Sequence, residues 1–64
     1  MEFHVEGMTC GGCARSVTAT IKDLDEHARV EIDVEQKLVE VETGVHQDEI
    51  VAALIEDGFP PVAV

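Results

Sequence analysis

From Glu2 to Glu6 polar and apolar residues alternate, with Phe3 and Val5 on one side and Glu2, His4 and Glu6 on the other. A period of two predicts a half-buried strand. Gly7 ends it and opens a loop through Met8, Thr9, Cys10, Gly11 and Gly12. From Cys13 the period lengthens: Ala14, Val17, Ile21 and Leu24 recur at three- and four-residue spacing, opposite Arg15, Ser16, Thr18, Lys22 and Asp23. That is the stripe of an amphipathic helix.

Asp25, Glu26 and His27 break the helix, and alternation resumes. Val30, Ile32 and Val34 oppose Arg29, Glu31, Asp33 and Glu35; after Gln36-Lys37, Val39 and Val41 oppose Leu38, Glu40 and Glu42. Two such runs with a short turn at Gln36-Lys37 predict a hairpin. Thr43-Gly44 closes it, and a second helix is expected from about His46 to Asp57, with Ile50, Val51, Leu54 and Ile55 as its apolar stripe. Asp48 and Glu49 suit the positive end of its dipole. Gly58 is placed as its C′ residue, and Pro60 prevents continuation. The tail Pro60-Pro61-Val62-Ala63-Val64 is confined to an edge strand, because proline cannot donate to a ladder.

The order is β-α-β-β-α-β, two β-α-β halves joined by a hairpin. It predicts an α+β, ferredoxin-like single domain over residues 1–64. Right-handed crossovers put both helices on one face of a four-stranded antiparallel sheet. The other face then carries Glu2, Glu6, Glu31, Asp33, Glu40 and Glu42, a solvated acidic surface rather than a carboxylate metal site.

Charge narrows the function. Four Lys and Arg against 14 Asp and Glu leave a net −10 over 64 residues, which argues against binding nucleic acid or an anionic membrane. With 45% apolar residues the chain is expected to fold rather than stay disordered. The N-terminus reads as free of an export signal, and no apolar stretch approaches a bilayer span. A soluble, cytoplasmic, thiol-reduced protein is the expectation, and Met1 and the lack of a trailing linker read as a complete chain.

The only cysteines, Cys10 and Cys13, form one Cys-x-x-Cys. Thiols this close staple nothing, so they serve thiol chemistry or metal ligation. The paired glycines are expected to let the backbone bend so that both sulfurs face one atom. Cys13 falls in the first helical turn, where unpaired N–H groups and the dipole favour thiolates. Three chemistries share this spacing. A thioredoxin-type redox dithiol wants more chain and a substrate surface beside the thiols. A structural zinc site wants four ligands, and His4, His27 and His46 are scattered over a strand and loops as surface residues. An open two-thiolate site for a soft monovalent ion such as Cu(I) needs nothing further, and is the reading adopted.

Gly7-Met8-Thr9-Cys10-Gly11-Gly12-Cys13 at the end of a first strand resembles the heavy-metal-associated domain, most of all the small bacterial cytosolic copper chaperones. The resemblance covers the whole chain, including Gly58-Phe59 and the closing strand. It implies a non-enzymatic protein of copper homeostasis, with Cu(I) held by Cys10 and Cys13 and exchanged with a metal-transporting P-type ATPase. Ag(I) fits the same pair, and zinc less well, since zinc-exporting relatives tend to carry an acid where Thr9 stands. In the family the methionine matching Met8 is buried, which agrees with a packing role over a thioether ligand. Phe59 departs from the lysine or tyrosine that chaperones often place beside the thiolates. It can shield the site from water or cap the core, and it resembles the N-terminal metal-binding domains of the ATPases themselves. Arg15 is the cation nearest the pair in sequence, able to offset bis-thiolate charge or simply to sit in solvent.

Two-coordinate Cu(I) leaves room for an incoming thiolate, so transfer through a mixed three-coordinate state is the expected mechanism. From the net charge, a basic or neutral partner patch is expected. An excised ATPase domain, a periplasmic mercury scavenger and a small redox protein are the competing readings; the absence of an export signal disfavours the scavenger. The chain is expected to be a monomer, with a Cu(I)-bridged dimer chemically accessible.

Overall fold

A computed structural model describes residues 1–64. The elements are β1 (Glu2–Val5), α1 (Gly11–Leu24), β2 (Arg29–Asp33), β3 (Leu38–Glu42), α2 (Gln47–Glu56) and β4 (Pro61–Ala63). They make one sheet of order β2-β3-β1-β4 in which every neighbouring pair is antiparallel. This is the ferredoxin-like arrangement that the periodicity predicts, with the proline-bearing β4 at an edge.

The inward residues of the two central strands, Phe3 and Val5 on β1 and Val39 and Val41 on β3, form the sheet's share of the core. Val17 and Ile21 of α1 and Ile50 and Leu54 of α2 close over them, with Met8 and Ala28 completing the cluster. The edge residues Val30 and Ile32 are only partly buried. Leu24 and Ile55, expected on the core stripes, are 41% and 55% exposed. Each lies in the last turn of its helix, beyond the reach of a sheet whose strands are five residues or shorter.

The hairpin also departs from expectation. Its loop is four residues, Val34 to Lys37, because Asp33 pairs with Leu38. A two-residue turn of the favoured kind needs positive φ at both positions, which Gln36-Lys37 cannot supply cheaply. Instead Asp33 Oδ1 accepts from Gln36 N–H, Val34 C=O accepts from Lys37 N–H, and only Lys37 takes positive φ, at 60°. Val34 therefore leaves the strand.

On the outer face Glu2 pairs with Glu40, and Glu40 with Glu31, so three carboxylates form a row across three strands. Like charges opposite one another repel, and solvation tempers this only in part.

The C-terminus of α2 positions the site. Gly58, at φ 89°, donates to Ile55 C=O, and Phe59 N–H reaches Leu54 C=O at 2.8 Å. This is a Schellman closure, with the left-handed residue at C′. It turns the chain abruptly and delivers Phe59 to the edge of the core.

Candidate metal centre

The two sulfurs are brought together by helix geometry. Cys10 is the N-cap of α1, with extended φ and ψ of −156° and 171°, and its carbonyl accepts from Ala14 N–H at 3.1 Å. Residues three apart across a first helical turn lie on one side, and the Sγ atoms of Cys10 and Cys13 stand 3.3 Å apart as free thiols. The glycines between them do not supply unusual backbone, contrary to expectation. Neither has positive φ, and both belong to α1. A methyl group on Gly11 would meet nothing within 4 Å, and one on Gly12 would lie 3.8 Å from Cys10 Sγ. Their contribution is an uncrowded approach to the sulfurs, not a bend.

Cys10 is exposed and Cys13 half-buried. The Cys13 thiol is held below its ordinary pKa, first by hydrogen bonding from the Thr9 backbone and then by the Cys10 thiol, against a smaller opposing effect of burial. A thiolate at this helix start is favoured further by the unpaired N–H groups around it. Thr9 enters the site through its backbone, a role that its side chain does not advertise in the sequence.

Met8 is fully buried in the core cluster, below a loop held by its N–H to Val5 C=O at 3.1 Å. Phe59 packs on the same cluster and borders the loop: a methyl group on Gly7 would lie 4.0 Å from Phe59 Cδ1 and 3.9 Å from Gly58 O. The α2–β4 turn thus backs the loop that carries the thiols. Arg15 is two residues beyond Cys13, and residues two apart on a helix face different ways. It borders a groove between α1 and β2 and makes no ion pair.

The histidines lie elsewhere. His4 is on the outer sheet face 3.6 Å from Glu6, His27 is in the α1–β2 turn beside Glu26, and His46 is the N-cap of α2. No group of three or more His, Cys, Asp or Glu side chains is placed to enclose an ion. The donor set is therefore two soft sulfurs with open space above them, which suits a thiophilic monovalent ion at low coordination number.

Fold and site together define a small α+β domain with an accessible dithiol at the start of its first helix. The sequence profile of the heavy-metal-associated domain matches residues 2–60, and the chain belongs to that family. A copper transport protein, the ATOX1 homolog of Dictyostelium discoideum, is 42% identical over 41 residues. That match takes in 64% of this chain and 60% of the relative, less than two thirds of its length. The crystal structure of a gold-binding protein superposes with a TM-score of 0.93 at 51% identity, covering 95% of this chain and 94% of the other. The copper chaperone Atx1 from Synechocystis PCC6803 has the same fold, at TM-score 0.93 and 22% identity, with 97% and 98% covered. No helix is long and apolar enough to cross a membrane.

Proposed function

We propose that this chain is a metallochaperone for a soft monovalent ion, Cu(I) first and Ag(I) by the same chemistry, held between the thiolates of Cys10 and Cys13. The observation that carries the reading is the open sulfur pair, 3.3 Å apart at a helix N-terminus with no third ligand beside it. Loading converts two thiols to two thiolates and releases their protons, so affinity rises with pH. A partner thiolate then adds to the ion to give a three-coordinate state, one of the original sulfurs leaves and takes up a proton, and a second exchange completes the transfer. The ion is never free. Cys13, with its lowered pKa, is a sulfur favoured as thiolate in the unloaded protein.

The partner is a metal-binding domain of a metal-transporting P-type ATPase that presents its own Cys-x-x-Cys, and the exchange takes place in the cytoplasm. The copper-transport relative supports this. A second reading is favoured by the gold-binding relative: the same two sulfurs accept Au(I), which prefers linear two-sulfur coordination even more strongly. Competition against bicinchoninate tests the copper reading. Tight Cu(I) binding by the native chain, lost on Cys10→Ser or Cys13→Ser, is the expected result. Disulfide turnover in an insulin-reduction assay without tight metal binding would replace the chaperone by a redox protein. X-ray absorption on the copper-loaded protein is expected to show two sulfur neighbours and no nitrogen.

A further inference from the structure

Two strands border the sheet, β2 and β4, and their open edges differ. Main-chain groups alternate sides along a strand, so the bonds already made show which groups remain. Val64 N–H donates to Glu2 C=O, so on β4 Val62 and Val64 face β1, and the outer edge falls to Pro61 and Ala63. Proline has no N–H to offer, and that edge is blocked. On β3, Val41 exchanges bonds with Met1 at 2.8 and 3.0 Å, so Val39 and Val41 serve β1, while Leu38, Glu40 and Glu42 serve β2. Their partners on β2 are Asp33, Glu31 and Arg29. The N–H and C=O groups of Val30 and Ile32 therefore point to the open side of β2.

Native edges are commonly protected by an inward-facing charge, a proline or a bulge. β2 has none of these. Its inward residues Val30 and Ile32 are apolar and only partly covered, and an open groove of about 450 Å³ runs between them and Ala14, Thr18 and Ala19 of α1. What protection β2 has is its outward charges, Arg29, Glu31 and Asp33, and their order decides what they repel. Antiparallel registers with a second copy of β2 centred on Arg29, Glu31 or Ile32 set like charges against each other: Arg29 on Arg29, Glu31 on Glu31, or Glu31 on Asp33. Centred on Val30, the register sets each Arg29 opposite Glu31 of the second copy, with no like pair. These residues then occupy the closely spaced positions of the ladder, where opposite charges attract most. Val30 exchanges both its bonds with Val30 of the second copy, and Ile32 N–H meets its Ala28 C=O. The acid row Glu2–Glu40–Glu31 gains Arg29 of the second copy at its end.

We infer that the chain forms a two-fold homodimer through β2, antiparallel and centred on Val30, in place of the expected monomer, joining two four-stranded sheets into one continuous sheet. The dimer is independent of metal. β1 and β2 are parallel, since each is antiparallel to β3, and the dithiol loop follows the end of β1. The two-fold reverses β2, so the two dithiols lie at opposite ends and share no ion. Two copies of charge −10 repel at long range. Physiological salt confines that repulsion to about 8 Å, and the edge contacts act within it.

Sedimentation equilibrium of the reduced, metal-free chain in physiological salt is expected to show a dimer forming between micromolar and millimolar concentration. Arg29→Glu and Glu31→Arg each turn both attractive pairs into repulsive ones, and each is expected to weaken self-association about tenfold or more. Both side chains are exposed, so the fold is kept. An equimolar mixture of the two variants is expected to associate again, because each supplies the charge that the other lacks. In the native chain, NMR-detected exchange of the Val30 and Ile32 amides is expected to slow as concentration rises, whereas Glu31, already paired with Glu40, is unchanged. The dimer is ruled out if the chain stays monomeric at millimolar concentration, if the Val30 and Ile32 amides ignore concentration, or if the mixed variants fail to associate. An assembly that needs copper, or is lost on Cys10→Ser, is bridged by metal and overturns the β2 pairing.

Discussion

Met8→Leu and Met8→Ala together separate packing from ligation at the residue most easily mistaken for a third ligand. Met8 is fully buried among the ten residues of the core. Truncation to alanine removes the thioether arm and leaves a cavity, at a cost of about 2–5 kcal/mol. A domain of this length holds roughly 3–10 kcal/mol in total, so Met8→Ala is expected to lose a large share of the stability of the metal-free protein. Leucine conserves volume and costs less than about 1.5 kcal/mol, a fall in Tm of no more than about 12 °C. Urea and thermal denaturation of the metal-free protein measure the first quantity, and bicinchoninate competition the second. Because the ion binds only the folded state, the affinity of a destabilised variant must be corrected for its unfolded fraction. The expected result is a Met8→Leu protein of native Cu(I) affinity. A tenfold loss of affinity, about 1.4 kcal/mol, in a Met8→Leu protein that melts like the native one would refute the packing role and make the thioether a ligand.

Gly58→Ala meets nothing within 4 Å, so its cost is purely that of holding alanine at φ 89°, about 1–2 kcal/mol; thermal melting is expected to show a drop, and an unchanged Tm would contradict it. Glu40→Lys replaces the middle of the Glu2–Glu40–Glu31 row and is expected to stabilise the apo protein by about 1 kcal/mol in low salt, with the gain fading in concentrated salt. Asp25 accepts from Thr43 Oγ1 at 2.7 Å and from His27 N–H at 3.0 Å, and the Thr43 hydroxyl, followed by the His27 N–H, holds its pKa below the ordinary aspartate value. A folded-state pKa below the unfolded one contributes stability above the unfolded value, and that stability is lost as pH falls through the folded one. Acid titration of Tm is therefore expected to be shallower in Asp25→Asn than in the native chain over that window.

The element order was legible because the period switches from two to 3.6 and back at glycines and polar breaks, and tertiary context did not override it. The details that escaped are those a period cannot carry. The hairpin loop depended on the reluctance of Gln36-Lys37 to take two positive φ values, and it lengthened by recruiting Asp33 and Lys37. Leu24 and Ile55 obey the helical spacing yet are exposed, since a stripe says which side faces inward and not how far the sheet extends beneath it. Gly58 was readable, because a glycine after an apolar stripe and before a proline has one well-defined use.

In the site, sequence spacing pointed to the two cysteines but to the wrong cause of their convergence. A Gly-Gly pair suggests a flexible bend, whereas here it occupies ordinary helix and the N-cap position of Cys10 sets the sulfurs side by side. The distinction has a chemical consequence. A linear two-sulfur ion would need the sulfurs further apart than the 3.3 Å seen here, an opening that side-chain rotation at the N-cap and first turn can supply without reordering the helix. Open space over Gly11 and Gly12 leaves the ion accessible to a third sulfur. A regular helix below and free approach above are what ligand exchange needs. In the same way a net charge summed over the chain describes the sheet face with its row of acids. The segment from Gly7 to Lys22, with Arg15 and Lys22 and no acid, carries the opposite sign.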